Sequence, residues 1–165
     1  YTPVAMIYLD RINFNPMFTR PASQGTRVHQ MALYVIFESP LQMLADSPSN
    51  YMKEQECTNF IVNIPVVWDD LKVLDARIGD YLLLARRSGN EWFVGGLTDW
   101  TSREMQLDLS FLPSGSYNIE IFCDGINATK YAQDYKHLNY EVKSGEKIKV
   151  NLSSGGGWVA RISPK

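Results

Sequence analysis

Paired carboxylates are the first candidates for chemistry in this sequence, because two acidic side chains about 5–10 Å apart can hydrolyse a glycosidic bond. Asp69 and Asp70 are adjacent, but neighbouring residues on a strand point to opposite faces of the sheet. Asp99 precedes Trp100 in a predicted loop. Neither arrangement is diagnostic of a catalytic pair, so these positions are interpreted as turn or surface residues, and the sequence predicts no catalytic residue.

The residues that bind metals or phosphates are also sparse. The chain has two histidines, His29 and His137, which argues against a histidine-based zinc site. Gly155–Gly157 precedes a predicted strand, whereas a phosphate-binding loop leads into a helix. Cys57 and Cys123 form no CxxC pair and are predicted to be buried, reduced thiols. The sequence therefore predicts no metal or cofactor site within the chain.

Two residues remain as candidates for contact with a substrate. Trp100 lies in a predicted loop, where an exposed indole ring could stack on a pyranose ring. Asp46 follows the short apolar run at 41–45. If that run is a barrel strand, Asp46 lies at the carboxyl end of the strand, where β/α barrels keep their active sites. The alternative role for Asp46 is to cap the turn at Ser47–Pro48.

Composition narrows the classes of partner. The chain has 165 residues, a net charge of −2 and 45% hydrophobic residues, which is typical of a globular protein. The near-neutral charge gives no basic surface for nucleic acid. No apolar run reaches the roughly 20 residues that a membrane-spanning helix needs. We therefore expect neither a nucleic-acid partner nor a membrane span.

The elements that would position these residues fall into two parts with different periodicity. The first part, residues 1 to about 64, is predicted to alternate strands and helices, the pattern of parallel β/α units. The strands are placed at 4–7 and, as a buried strand or one helical turn, at 41–45; the helices are placed at 24–38 and 50–63. Met31 to Phe37 is apolar on nearly every side, so this helix should be buried on more than one face.

The second part, from about residue 65, has apolar residues at every second position, which is typical of β-strands. Regular spacing of short strands and turns predicts an antiparallel β-sandwich of roughly eight strands. The strands are placed at 72–75, 81–87, 91–98, 104–110, 116–124, 139–142, 147–151 and 158–162. The fold class is therefore an α+β composite, with Trp68 expected to be largely buried where the two parts meet.

A set of longer motifs carries a resemblance to a known family. They are Gln24–Val35 (QGTRVHQMALYV), Glu38–Pro48 (ESPLQMLADSP), Val67–Asp69 (VWD), Ile78–Tyr81 (IGDY), Ala85–Gly89 (ARRSG), Trp92–Arg103 (WFVGGLTDWTSR), Leu109–Leu112 (LSFL) and Asp124–Gly125 (DG). In this order they resemble the C-terminal portion of glycoside hydrolase family 97, whose members are α-glucosidases and α-galactosidases of Bacteroides-type polysaccharide-utilisation systems.

The resemblance implies a division of the chain. Residues 1–64 would be the last two β/α units of a (β/α)8 catalytic barrel (a TIM barrel), and residues 65–165 the C-terminal β-sandwich domain. The family's catalytic carboxylates and calcium-binding glutamates would lie upstream of Tyr1, and the start at Tyr1-Thr2-Pro3 is interpreted as a cut inside a larger protein. The fragment itself would then be non-catalytic, and Ca²⁺ would be expected only in the parent protein.

The resemblance also implies partners and a location. The partners would be the rest of the parent chain, with its barrel and N-terminal sandwich, and the parent's oligosaccharide substrate; the location would be periplasmic or cell-envelope. Self-association is also expected, through an apolar surface that includes Met31, Leu33, Tyr34 and Phe37. The alternative hypothesis is a carbohydrate-binding or subunit-interaction β-sandwich module, which for glycan binding needs two or more exposed, coplanar aromatic rings on one face.

Overall fold

The computed structural model describes residues 24–39, 41–44 and 48–165. In these ranges, helices come first and strands follow. The elements are α1 (Arg27–Ile36), α2 (Pro48–Lys53), α3 (Gln55–Val62), β1 (Asp70–Arg77), β2 (Tyr81–Ser88), β3 (Glu91–Thr98), β4 (Arg103–Asp108), a short 3-10 turn (Leu109–Phe111), β5 (Ser116–Asp124), β6 (Tyr135–Lys143), β7 (Lys147–Leu152) and β8 (Gly157–Pro164).

The strands form two antiparallel sheets. The larger sheet has six strands in the order β1-β2-β3-β8-β5-β6, and the smaller one pairs β4 with β7. All six strand pairings are antiparallel among the residues described. The antiparallel β-sandwich predicted from the period-two pattern is confirmed, and each predicted strand overlaps an observed one.

Each face of the large sheet has its own hydrophobic core, because successive side chains on a strand point to opposite faces. One core lies between the large and the small sheet and includes Trp92, Ile119 and Trp158. The other lies between the large sheet and the helices, where Phe93 and Phe122 meet side chains of α1 and α3. The helices therefore share a core with the sandwich, as expected for two parts that pack together.

Helix α1 lies directly against the middle of the large sheet. Thr26 caps its first turn by accepting a 3.0 Å hydrogen bond from the His29 backbone N–H. A methyl group on Gly95 of β3 would lie 2.9 Å from Ile36 Cγ1, and one on Gly157 of β8 would lie 2.3 Å from His29 N. Glycines at these two positions therefore let the helix and the sheet approach closely.

The helix is buried on every side, as its sequence predicts. All residues of α1 except His29 are buried, Met31, Leu33 and Tyr34 among them. The expected self-association surface is therefore wrong for these three residues, because they are covered within this chain. Of the four residues, Phe37 alone is exposed.

Two further expectations differ from the structure. Residues 41–44 form neither a strand nor a helical turn, and Leu41 is 70% exposed, so this apolar run is not a buried element. Trp68 is half-buried rather than largely buried: its ring meets the edge of Phe93 at a centroid distance of 5.7 Å, while the preceding Val67 stays exposed.

Some predicted features lie outside the described residues. They are the strand at 4–7 and Asp46. Within the described part of the chain, no helix is both long and apolar enough to cross a membrane.

Candidate functional site

One end of the sandwich collects the connecting loops that carry exposed side chains. The register brings together the β1–β2 turn, the β3–β4 turn, the β5–β6 loop and the β7–β8 loop. The exposed apolar side chains at this end are Ile78, Trp100, Ile126 and Tyr131. We call this region the loop end, and it contains Trp100, the one substrate-side candidate that the structure describes.

Trp100 occupies a turn that is fixed by hydrogen bonds on both sides. The backbone oxygen of Asp99 accepts from Gly155 N at 2.7 Å, and that of Trp100 accepts from Ser154 Oγ at 2.7 Å. Trp100 is 61% exposed. The turn therefore presents a large aromatic ring to solvent on a well-anchored backbone, as a sugar-stacking platform requires.

A network of charged side chains stabilises the same turn. Asp99 Oδ1 accepts from Thr101 N at 2.8 Å and from Arg103 Nη1 at 2.5 Å. These donors, chiefly the Arg103 guanidinium, lower the pKa of Asp99 to about 2. Arg103 Nη2 also lies 3.7 Å from Asp80 Oδ2, which links the β3–β4 turn to the β1–β2 turn. Asp99 is therefore ionised at neutral pH and serves to hold the turn.

A cavity of about 380 Å³ opens beside this network, between the start of β4 and the end of β5. Its charged and amide side chains are Arg103, Glu104, Asp124, Lys136 and Asn151. Asp124 Oδ2 accepts from Ser153 N at 2.9 Å and Gly157 N at 3.1 Å, so this carboxylate holds the β7–β8 loop. The mixed charge of the lining suits a neutral polyol better than an anion or a cation.

The other tryptophans do not extend the Trp100 surface. Trp92 and Trp158 are buried in the core between the sheets, and Trp68 packs on Phe93 at the helix side. Among the tryptophans, Trp100 is thus the exposed one, and Tyr131 is a second exposed aromatic residue at the loop end. The glycan-binding alternative needs two or more such rings that are coplanar on one face.

A second polar cluster joins α3 to the edge of the large sheet. His137 Nδ1 lies 2.7 Å from Glu56 Oε1, and its Nε2 lies 3.0 Å from Glu120 Oε1. Tyr135 donates a 2.6 Å hydrogen bond to Glu56 Oε2. This bond and the contact with His137 lower the pKa of Glu56. His137 therefore contacts one carboxylate of α3 and one of β5, and Tyr135 adds a further hydrogen bond to the first. We call this cluster, which joins helix to sheet, the clamp.

Other polar residues of structural weight were not predicted from the sequence. Arg86 is buried and donates a 3.0 Å hydrogen bond to the backbone oxygen of Ile36, at the end of α1. The Asp99–Arg103 spacing was the one local signal for the network at the turn.

Both cysteines are free thiols, Cys57 buried and Cys123 half-buried. Within the described ranges, no group of three or more His, Cys, Asp or Glu residues is arranged to hold a metal ion.

Comparison with known proteins places this geometry in a family. Residues 67–163 match the family model described as "Glycosyl-hydrolase 97 C-terminal, oligomerisation". A retaining α-galactosidase of Bacteroides thetaiotaomicron is 49% identical over 98% of this chain. A probable retaining α-galactosidase of Streptomyces bingchenggensis is 27% identical over 96% of it. The chain spans 24% of the length of each of these relatives.

A solved structure agrees with the sequence comparison. A glycoside hydrolase family 97 enzyme from Pseudoalteromonas sp. strain K8, in complex with acarbose, superposes with a TM-score of 0.83 and 32% identity. The match covers 88% of this chain and 24% of that one. The resemblance noted from the sequence motifs is therefore confirmed: this chain belongs to glycoside hydrolase family 97, and residues 67–163 form the family's C-terminal oligomerisation domain.

Proposed function

We propose that this chain is the C-terminal part of a retaining α-galactosidase, in which the sandwich joins copies of the enzyme and leaves catalysis to other residues. The observation that carries the proposal is the match of residues 67–163 to the family's C-terminal oligomerisation domain. The α-galactoside specificity rests on the 49% identity to the B. thetaiotaomicron retaining α-galactosidase.

The experiment separates assembly from catalysis. The purified 165-residue chain is examined by sedimentation velocity over a concentration series, and in parallel with p-nitrophenyl α-galactoside and α-glucoside in the presence of calcium. We expect reversible self-association and no turnover. A chain that stays monomeric at high micromolar concentration contradicts the assembly role, and turnover that is lost on mutating a residue of this chain contradicts the non-catalytic role.

The finer parts of the proposal concern the parent protein. Residues 1–64 are proposed to be the last two β/α units of its (β/α)8 barrel, with Asp46 on the substrate side. The proposal places Ca²⁺ in the parent's barrel and the enzyme in the periplasm or cell envelope, where it meets oligosaccharides. These parts are supported by the family membership, and the parent's upstream sequence would test them through its catalytic carboxylates and any secretion signal.

A second candidate function is a glycan contact at the loop end. It is supported by the exposed ring of Trp100 and the neighbouring cavity of about 380 Å³. Affinity electrophoresis in galactomannan and starch gels would test it with wild type and Trp100→Ala. Retardation of the wild type that Trp100→Ala abolishes supports the contact, and equal mobility of both proteins in glycan and control gels excludes it.

A further inference from the structure

We propose that copies of this chain associate through β1, which pairs side by side with the same strand of a second copy across a two-fold axis. The inference rests on the proposed assembly role of the sandwich and deepens it by naming the surface. Two-fold interfaces use the same patch on both subunits, so a strand that serves one must be complementary to itself.

Strand β1 has the position that such pairing needs. It is the outermost strand of the six-stranded sheet, and in the part of the chain that the structure describes it pairs with β2 alone. The outer edge of such a strand presents backbone N–H and C=O groups that can pair with another strand. Leu71 is 48% exposed and Val73 is 61% exposed, so the edge also offers apolar surface.

A bulge sorts the side chains of β1 into two faces. Asp70 and Lys72 lie opposite Arg87 and Ala85 of β2, and the register shifts between Val73 and Asp75. After the shift, Asp75 lies opposite Leu83, and Arg77 opposite Tyr81. The four partners on β2 (Arg87, Ala85, Leu83 and Tyr81) are every second residue of that strand, so their side chains lie on one face of the sheet. The four charged residues of β1 lie opposite them and therefore share that face.

The order of charges on that face is self-complementary. Reading along the strand, it is acidic, basic, acidic, basic (Asp70, Lys72, Asp75, Arg77). When two copies run antiparallel about the bulge, Asp70 lies opposite Arg77 of the partner subunit, and Lys72 lies opposite Asp75 of the partner subunit. Every charge therefore meets the opposite sign, and opposite-charge pairs across strands are stabilising.

On the other face, the same alignment brings apolar side chains together. Leu71, Val73 and Ala76 lie opposite Arg86, Leu84 and Leu82 of β2, so they share the face toward the helices. The two-fold places Leu71 opposite Ala76 of the partner subunit, with Val73 and the bulge residue Leu74 of each copy near the axis. Leu74 packs toward the core between the two sheets, on the face that carries the charges. Burial of these exposed side chains supplies the apolar part of the contact.

The alternatives are disfavoured by charge. In a parallel, in-register pair of β1 strands, each charge meets its own copy and is repelled. The opposite edge of the large sheet, β6, carries Lys136, Lys143 and one acidic residue, Glu141. Strand β7 carries Lys147 and Lys149 with no acidic residue. Strand β4, the other edge of the small sheet, carries Arg103, Glu104 and Asp108. Arg103 already pairs with Asp99 within the chain, which leaves β4 with two acidic residues. Of these four edge strands, β1 is the one on which every charge can meet the opposite charge of a second copy.

The charges that form these pairs are accessible in the single chain. The side chain of Arg77 is 75% exposed although it lies 3.1 Å from Asp80, and those of Lys72 and Asp70 are about 40% exposed at a separation of 3.8 Å. Exposed pairs of this kind contribute little to the stability of one chain, so they can exchange partners on association.

A charge-swap experiment tests the interface by sedimentation velocity of the 165-residue chain. Lys72→Glu with Arg77→Glu makes the face wholly acidic, and Asp70→Lys with Asp75→Lys makes it wholly basic. We expect each double variant to weaken self-association by on the order of tenfold or more through like-charge repulsion. An equimolar mixture of the two, and the variant carrying all four changes, should both associate again.

The matched control is Lys147→Glu with Lys149→Glu on β7. It changes the net charge by the same amount as Lys72→Glu with Arg77→Glu and should leave association unchanged. Far-UV circular dichroism of each variant checks that it is folded. If the wild type associates and both double variants associate equally well, the β1 interface is wrong and the assembly role stands. If the wild type remains monomeric, the assembly role itself is wrong, and the interface with it.

Discussion

At Gly157 the backbone of β8 touches the backbone of α1, and no side chain can move aside to make room. A methyl group there would lie 2.3 Å from His29 N and 2.4 Å from His29 Cα. Both atoms belong to the first turn of the helix, which is fixed by the Thr26 cap. The close approach of helix and sheet therefore requires glycine at position 157.

We predict that Gly157→Ala lowers the free energy of unfolding by about 1–3 kcal/mol, since overpacking forces the backbone to shift. The matched control is Gly115→Ala, because a methyl group on Gly115 meets its nearest atom, Tyr117 Cε2, at 3.7 Å. Urea unfolding measures the free energy of unfolding of both variants. Equal stability of the two variants would show that the helix is not held at the distance described.

The clamp formed by Glu56 predicts a dependence of stability on pH. Tyr135, then His137, lowers the pKa of Glu56 below its ordinary value of 4.5. A lowered pKa in the folded state means that the contribution is present above the unfolded pKa and is lost as pH falls through the folded pKa. We expect the stability difference between wild type and Glu56→Gln to be largest near neutral pH and to shrink below about pH 4.5.

Urea unfolding of both proteins at a series of pH values from neutral to acidic measures this difference. Glu104→Gln serves as the control, because Glu104 pairs with Lys149 on the exposed small sheet. A difference between wild type and Glu56→Gln that stays constant across the series would contradict the clamp.

At the scale of elements, the end of α1 is joined to β2 by Arg86. Its Nη2 donates to the Ile36 backbone oxygen at 3.0 Å, and its guanidinium lies 5.8 Å from the centre of the Trp68 ring. The last carbonyls of a helix lack partners within the helix. Arg86 therefore satisfies one of them in the core that helix and sheet share.

We predict that Arg86→Met costs about 1–3 kcal/mol of stability, because the Ile36 carbonyl oxygen is left without its buried donor. Arg87→Met is the matched control: the neighbouring Arg87 points to the opposite face and pairs with the exposed Asp69 at 3.5 Å, so its loss should cost well under 1 kcal/mol. Thermal unfolding followed by circular dichroism compares them. A smaller effect at Arg86 than at Arg87 would show that this hydrogen bond does not stabilise the end of α1.

The strands could be predicted from the sequence because alternation is a local property. Met105 and Leu107, or Ile119 and Ile121, reveal their shared face without knowledge of the fold. The bulge in β1 is not visible in this way, since simple alternation places Asp75 on the face opposite Lys72, and only the register with β2 shows that they share one.

Other features needed tertiary contacts. The run at 41–44 is apolar, yet Leu41 is exposed, because composition does not reveal what covers a short segment. Exposure of Trp100 followed from its place in a loop, but the support from Asp99 and Arg103 depends on how turns from different strands meet. Asp46 stays a prediction that the described residues do not reach.

At the scale of the whole molecule, the helices and the sandwich should unfold together. Phe60 of α3 meets Phe122 of β5 at a ring distance of 5.0 Å, inside the core that both parts share. Single domains with one continuous core usually unfold in one transition. We predict that the helical signal in far-UV circular dichroism and the tryptophan fluorescence give coincident urea curves. Two separated midpoints would show that the helices are an independent unit.

The helix-facing core also has an evolutionary consequence. The family match begins at residue 67, but the sheet beyond that point buries Phe93 and Phe122 against α1 and α3. A gene fusion that transferred residues 67–163 alone to another enzyme would expose this apolar face to water. We therefore expect transfer of the sandwich to include α1 and α3, so the unit exchanged between enzymes should be longer than the unit that sequence comparison delimits.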